Sequence, residues 1–186
     1  GDAARLVFGP MVSTADAGIG MGSVLVTAQD AVGNAVTSYT GAVTVAIGNN
    51  PGASTLSGTL TRPAVAGVAT FNDLSLNKKG SSYTLTASAT GLTSGTSAAF
   101  NVAAGPATGL IIVSGDGQTA AAGATLTDIV LRLRDALGNG INDVTISLAV
   151  ASGGGSLGAS SAVTDADGRV TVSWTLGGTS GTQSIT

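Results

Sequence analysis

The groups in this 186-residue chain able to do chemistry are ten acidic side chains, seven cations and a large stock of Ser and Thr. All ten acids are Asp, because the sequence contains no Glu, and there is neither His nor Cys. Nucleophilic and acid–base catalysis need an activated nucleophile beside a base, or two carboxylates whose pKa values are held apart. A base here would have to be Asp or Lys, and no Ser lies in a Gly-x-Ser-x-Gly turn between a strand and a helix. The residue types therefore point away from an enzyme. Soft-metal sites need thiolate or imidazole, so zinc is excluded.

Calcium asks only for carboxylates and loop carbonyls. The best candidates are Asp165 and Asp167, in Asp165-Ala166-Asp167-Gly168. The rest of a spaced calcium loop with its closing acid is absent, and the same four residues suit a turn between two strands. The turn is the favoured reading, and no cofactor is expected. Asp30 and Asp135 each precede a Gly-Asn pair, where a carboxylate can cap turn amides. Arg132 and Arg134 share one face of a strand-like run, read as a solvated face rather than an anion site. Trp174 falls in register with Val170 and Val172, which favours a core role over a platform for stacking sugars. Lys78-Lys79 marks a loop, without the neighbouring acid that an isopeptide bond would want.

The elements that must carry these residues are strands. Lacking Glu and nearly all Lys, the chain has few of the residues that cover helix surfaces, while Thr, Val and Gly suit pleated strands and tight turns. Net charge is −3 with no basic tract, which argues against nucleic acid. No apolar run approaches the ~20 residues that span a bilayer, so membrane insertion is not expected. Gly1-Asp2-Ala3 has neither the basic start nor the apolar stretch of a signal peptide, and the chain reads as a mature or excised segment.

The chain repeats itself. Val24-Leu25-Val26-Thr27-Ala28-Gln29-Asp30-Ala31-Val32-Gly33-Asn34 matches Ile129-Val130-Leu131-Arg132-Leu133-Arg134-Asp135-Ala136-Leu137-Gly138-Asn139. Gly67–Phe71 then matches Gly168–Val172, and Tyr83–Thr86 matches Gln183–Thr186. A period near 100 residues is the size of one immunoglobulin-like sandwich. The expected fold is all-β: two tandem immunoglobulin-like β-sandwiches, at 1–103 and 109–186, joined by a short connection at 104–108. Alternation places Val24, Val26 and Ala28 inward, as it does Ile129, Leu131 and Leu133, leaving Arg132 and Arg134 outward. Further strands are expected at 42–48, 67–76, 82–89, 97–103, 144–151 and 168–176. Expected core residues are Val43, Val45, Ile47, Phe71, Leu85, Phe100, Ile112, Val144, Ile146, Leu148, Val170, Val172 and Trp174.

The second half resembles the bacterial immunoglobulin-like domain of the invasin/intimin type. The resemblance is carried by Arg134-Asp135-Ala136-Leu137-Gly138-Asn139, Thr164-Asp165-Ala166-Asp167-Gly168 and Val172-Ser173-Trp174-Thr175-Leu176-Gly177. The first half resembles a related bacterial surface repeat, through Val26–Asn34 and Gly67–Leu74. This resemblance implies spacer or stalk modules of an adhesin-like protein, extracellular or at the cell surface. Expected partners are neighbouring modules of the same or an adjacent chain, together with a host-cell or surface ligand.

One departure stands out. Module 1 continues past Leu85-Thr86 to Phe100-Asn101-Val102, whereas module 2 reaches only Ile185-Thr186. The second sandwich is therefore expected to lack its final strand, to be supplied by further chain or by a neighbour. That gap motivates one alternative, a filament or sheath subunit assembling by strand donation. The other is a ligand- or carbohydrate-binding accessory module of a secreted enzyme.

Overall fold

The computed structural model describes residues 1–186, and every regular element in it is a β-strand. The chain divides into two compact units, Gly1–Gly105 and Pro106–Thr186. Unit 1 begins with β1 (Arg5–Phe8), β2 (Thr14–Asp16), β3 (Val24–Gln29), β4 (Ala42–Ile47), β5 (Leu56–Ser57) and β6 (Thr61–Pro63). It ends with β7 (Val68–Phe71), β8 (Ser75–Leu76), β9 (Gly80–Tyr83), β10 (Leu85–Ser88), β11 (Gly95–Thr96) and β12 (Phe100–Ala103). Unit 2 contains β13 (Ala107–Ser114), β14 (Ile129–Asp135), β15 (Thr145–Ser147), β16 (Val150–Ser152) and β17 (Gly155–Leu157). After these come β18 (Ser161–Val163), β19 (Arg169–Val172), β20 (Trp174–Leu176) and β21 (Ser184–Ile185).

Unit 1 is an immunoglobulin-like sandwich. One sheet is β1-β3-β7, and β5 pairs with β8. The facing layer is β11-β10-β4-β6 together with β2-β12-β9, in which only Thr84 separates β9 from β10. The core lies between, because alternate residues of each strand point inward. Val24, Val26 and Ala28 of β3 meet Val43 and Val45 of β4, with Phe71, Leu74, Leu85 and Phe100 closing the space. Tyr83 and Phe100 stack with ring centroids 6.1 Å apart. Strand β12 is paired on both sides, parallel to β2 and antiparallel to β9.

Unit 2 repeats this plan in part. Its sheet β13-β14-β19 matches β1-β3-β7, with Ile129 opposite Val172 as Val24 is opposite Phe71. The β15-β18 and β17-β20 pairs match β4-β6 and β5-β8. Ile185 of β21 sits opposite Val150 of β16, as Leu85 sits opposite Ile47. Strands β2, β9, β11 and β12 have no counterpart in unit 2.

Several expectations about strands and core change. The runs expected at 67–76, 82–89, 144–151 and 168–176 are each split in two, and 97–103 forms a strand only from Phe100. Ala107 and Thr108, read as linker, already belong to β13. Ile112, expected in the core, is 51% exposed, because the elements that would cover β13 are absent from unit 2. Val144, also expected inside, is 37% exposed. It precedes β15, next to Asp143 at φ 60°, so the alternation begins only after it. Ile47 and Ile146 are half-buried against their cores, and the remaining expected core residues are buried.

Candidate functional site

The acidic residues singled out by their spacing are occupied with their own backbone. In unit 1 the strand β3 ends at Gln29, and the chain must reverse within a few residues. Asp30 Oδ1 accepts hydrogen bonds from the amides of Val32 (3.1 Å) and Asn34 (2.9 Å), and its Oδ2 accepts from Asn34 Nδ2 at 3.2 Å. Unit 2 reproduces the device. Asp135 Oδ1 accepts from Leu137 (2.9 Å) and Asn139 (2.8 Å), and Oδ2 from Asn139 Nδ2 at 2.8 Å. Both Asp side chains are buried, and each turn contains a glycine at positive φ, Gly33 or Gly138. A buried carboxylate is tolerated only when its oxygens are satisfied. The Asn34 backbone amide, then the Asn34 side chain, are the main causes that lower the Asp30 carboxyl to about 2.

The calcium candidates are built the same way. Asp165 Oδ1 accepts from the amides of Asp167 and Arg169, each at 2.8 Å, so the carboxylate closes its own turn. No cluster of three or more metal-ligating side chains occurs in the structure. The turn sits where Gly168 is required: its φ is 76°, and a Cβ there would run into the Leu133 carbonyl. Gly67 repeats that geometry in unit 1, against the Val36 carbonyl.

Arg132 has a role that strand alternation could not show. Its Nε donates to the Asp167 carbonyl (2.9 Å) and its Nη2 to the Gly138 carbonyl (3.1 Å). One guanidinium thus ties the Asp165 turn to the Asp135 turn. The long, forked donor set of Arg makes that bridge possible, and the equivalent residue in unit 1 is Thr27. Arg134, by contrast, is exposed at the end of the strand. In unit 1 a side-chain ion pair joins Arg62 to Asp73 at 3.3 Å. The Asp73 carboxyl also accepts from the Thr59 hydroxyl and amide, and the hydroxyl leads in holding its pKa below the ordinary value.

One concavity lies wholly within unit 2. It is a groove of about 780 Å³, whose wall includes Leu110, Ile112, Leu126, Leu131, Ile146 and Trp174. Clefts that take ligands span a similar range, roughly 300–1,000 Å³. Trp174 is buried in the groove wall, and its indole N–H has no acceptor. An unsatisfied buried donor costs about 1–3 kcal/mol. The sequence pattern identified Trp174 as a core residue but gave no sign of the groove, because an opening between sheets leaves no local motif.

No protein-family model matches the chain, and no curated protein sequence matches it. Solved structures do. Invasin, described as a bacterial integrin-binding protein, is 20% identical with a TM-score of 0.48, over 98% of this chain and 35% of that one. The Escherichia coli adhesin FdeC is 17% identical with a TM-score of 0.47, over 95% of this chain and 56% of its own. A β-glycosidase from Bacteroides vulgatus is 14% identical with a TM-score of 0.45, over 55% of this chain and 14% of the enzyme. The chain thus spans about a seventh of the glycosidase, a third of invasin and just over half of FdeC.

Proposed function

We propose that these residues are non-catalytic spacer modules of a bacterial adhesin-like protein, secreted or at the cell surface. The observation that carries this reading is how the reactive side chains are used. Asp30, Asp135, Asp165 and Arg132 all hold backbone turns, and the sequence offers no His, Cys or Glu as a base. What remains is a repeated sandwich, whose use is to separate what lies on either side of it. No helix is long and apolar enough to cross a membrane.

The test is an in-frame deletion of residues 1–186 from the full-length protein, with export followed by surface labelling. A spacer predicts that the rest of the protein keeps its ligand binding but presents it closer to the cell. Loss of binding in an exported deletion protein would overturn the proposal.

A further inference from the structure

A glycine that follows Asp or Asn is a chemically weak point in a chain. Its amide has no side chain beside it and can reach the carboxyl or carboxamide of the residue before it. The sequence contains three such pairs, Asp116-Gly117, Asn139-Gly140 and Asp167-Gly168. The fold closes two of them. Asn139 is 5% exposed, and both its backbone amide and its Nδ2 donate to the Asp135 carboxylate. A Cβ on Gly140 would collide with the Asp167 carbonyl, so no room is left there for a ring. The Gly168 amide donates to the Asp165 carbonyl at 2.9 Å, and the Asp167 carbonyl holds the Arg132 guanidinium. Asp116-Gly117 is arranged differently. It lies in the connection between β13 and β14, where Gly117 takes a φ of 66°. The Gly117 amide donates to Asp116 Oδ1 at 2.9 Å. The carboxyl group is thus folded onto the nitrogen that can attack it.

We propose that Asp116-Gly117 is a site of spontaneous isoaspartate formation, a covalent change of the main chain that needs no reagent but water. This goes beyond the spacer reading and does not depend on it. In the first step the Gly117 amide nitrogen gives up its proton and attacks Cγ of the protonated Asp116 carboxyl. An N–Cγ bond forms, a Cγ–O bond breaks and one water leaves, closing a succinimide ring. In the second step water adds to one of the two imide carbonyls. Opening at Cγ restores Asp116. Opening at the main-chain carbonyl carbon leaves the chain running through Cβ and Cγ, with the α-carboxylate as the side group. One water is lost and one gained, so mass and oxidation state do not change. The added main-chain carbon falls inside a clamp. Gln118 Nε2 donates to the carbonyls of Gly115 and Thr127, each at 2.7 Å, and its Oε1 accepts from the Thr127 amide at 2.9 Å. Lengthening the chain between Gly115 and Gln118 puts that clamp out of register and releases Thr127, which lies just before β14.

The test is to warm the full 186-residue protein at neutral pH in water enriched in heavy oxygen, beside the same protein unfolded in urea. Peptide mapping then locates isoaspartate and heavy oxygen residue by residue, together with any conversion of Asn139 to an acid. In the folded protein, modification is expected at Asp116 at least roughly tenfold faster than at Asp167 or Asn139, a difference in barrier of about 1.4 kcal/mol. In the unfolded chain Asn139 should lead instead, because a carboxamide loses ammonia more readily than a carboxyl loses water. Asp116→Glu, which would have to close a larger ring, should fold normally and stay unmodified. Hydrogen exchange at the Thr127 amide should quicken in the modified fraction. Absence of isoaspartate at Asp116 in the folded protein, at a time when the unfolded chain has acquired it there, would overturn the proposal. Equal rates at Asp116 and Asp167 in the folded protein would do the same.

Discussion

Replacing Phe100 by Ala takes from unit 1 the anchor of the strand that unit 2 does not have. Phe100 is 1% exposed and stacks on Tyr83, with planes 30° apart. It also lies in a strand paired on both sides, so the surrounding backbone has little room to collapse into the vacated space. Phe-to-Ala changes in such cores cost about 3–5 kcal/mol, of which the aromatic pair accounts for about 0.5–1.5. Against a domain stability of about 5–15 kcal/mol, that is a large fraction. With a urea slope near 2 kcal/mol per molar, within the usual range, the midpoint should fall by about 2 M. Both tyrosines, Tyr39 and Tyr83, belong to unit 1, and the only Trp belongs to unit 2. Urea unfolding followed by tyrosine near-ultraviolet dichroism therefore reports on the intended unit. Phe100→Leu should recover most of the loss. A shift below about 0.5 M for Phe100→Ala, equivalent to about 1 kcal/mol at that slope, would refute the view that β12 anchors the sandwich.

Further outcomes are expected at Gly168, Gly178, Asp30 and Asp165. Gly168→Ala should destabilise unit 2 by about 1–3 kcal/mol, because the residue is held at positive φ against the Leu133 carbonyl. Gly178→Ala, in open space, should be neutral, with Trp174 emission in urea as the measure for both. Asp30 has a folded-state pKa of about 2, below its ordinary value. Its contribution to stability is therefore full above about pH 4 and is lost as pH falls through about 2. Asp30→Asn should flatten that part of the pH–stability curve, and an unchanged slope would count against the turn as the cause. Asp165→Ala should lower the melting temperature by removing the acceptor for two amides. Millimolar calcium should leave the wild-type melting temperature unchanged, and a calcium-dependent rise would restore Asp165 and Asp167 as ligands.

The periodic signals in the sequence were legible because they are local. Val24, Val26 and Ala28, with Ile129, Leu131 and Leu133, alternate in phase with the pleat, and their burial followed. The Asp-x-x-Gly-Asn turns were legible for the same reason: a carboxylate can reach amides only two to four residues away. Three things were not. Ile112 carries the right side chain in the right phase, but burial needs a covering element, and that depends on distant residues. Arg132 alternates outward like any surface residue, yet it reaches two carbonyls that meet only in three dimensions. Short strands such as β5 and β8 are two residues each, too short to display a period. The groove belongs with these, being a property of how the sheets face each other.

The parallel pairing of β2 with β12 has a mechanical consequence. Thr14–Asp16 lies near the beginning of unit 1 and Phe100–Ala103 at its end, and the two run in the same direction. Tension applied along the chain pulls these strands in opposite senses along their length, so their hydrogen bonds are sheared together instead of being unzipped one after another. Unit 2 has no parallel pair of this kind among its strands.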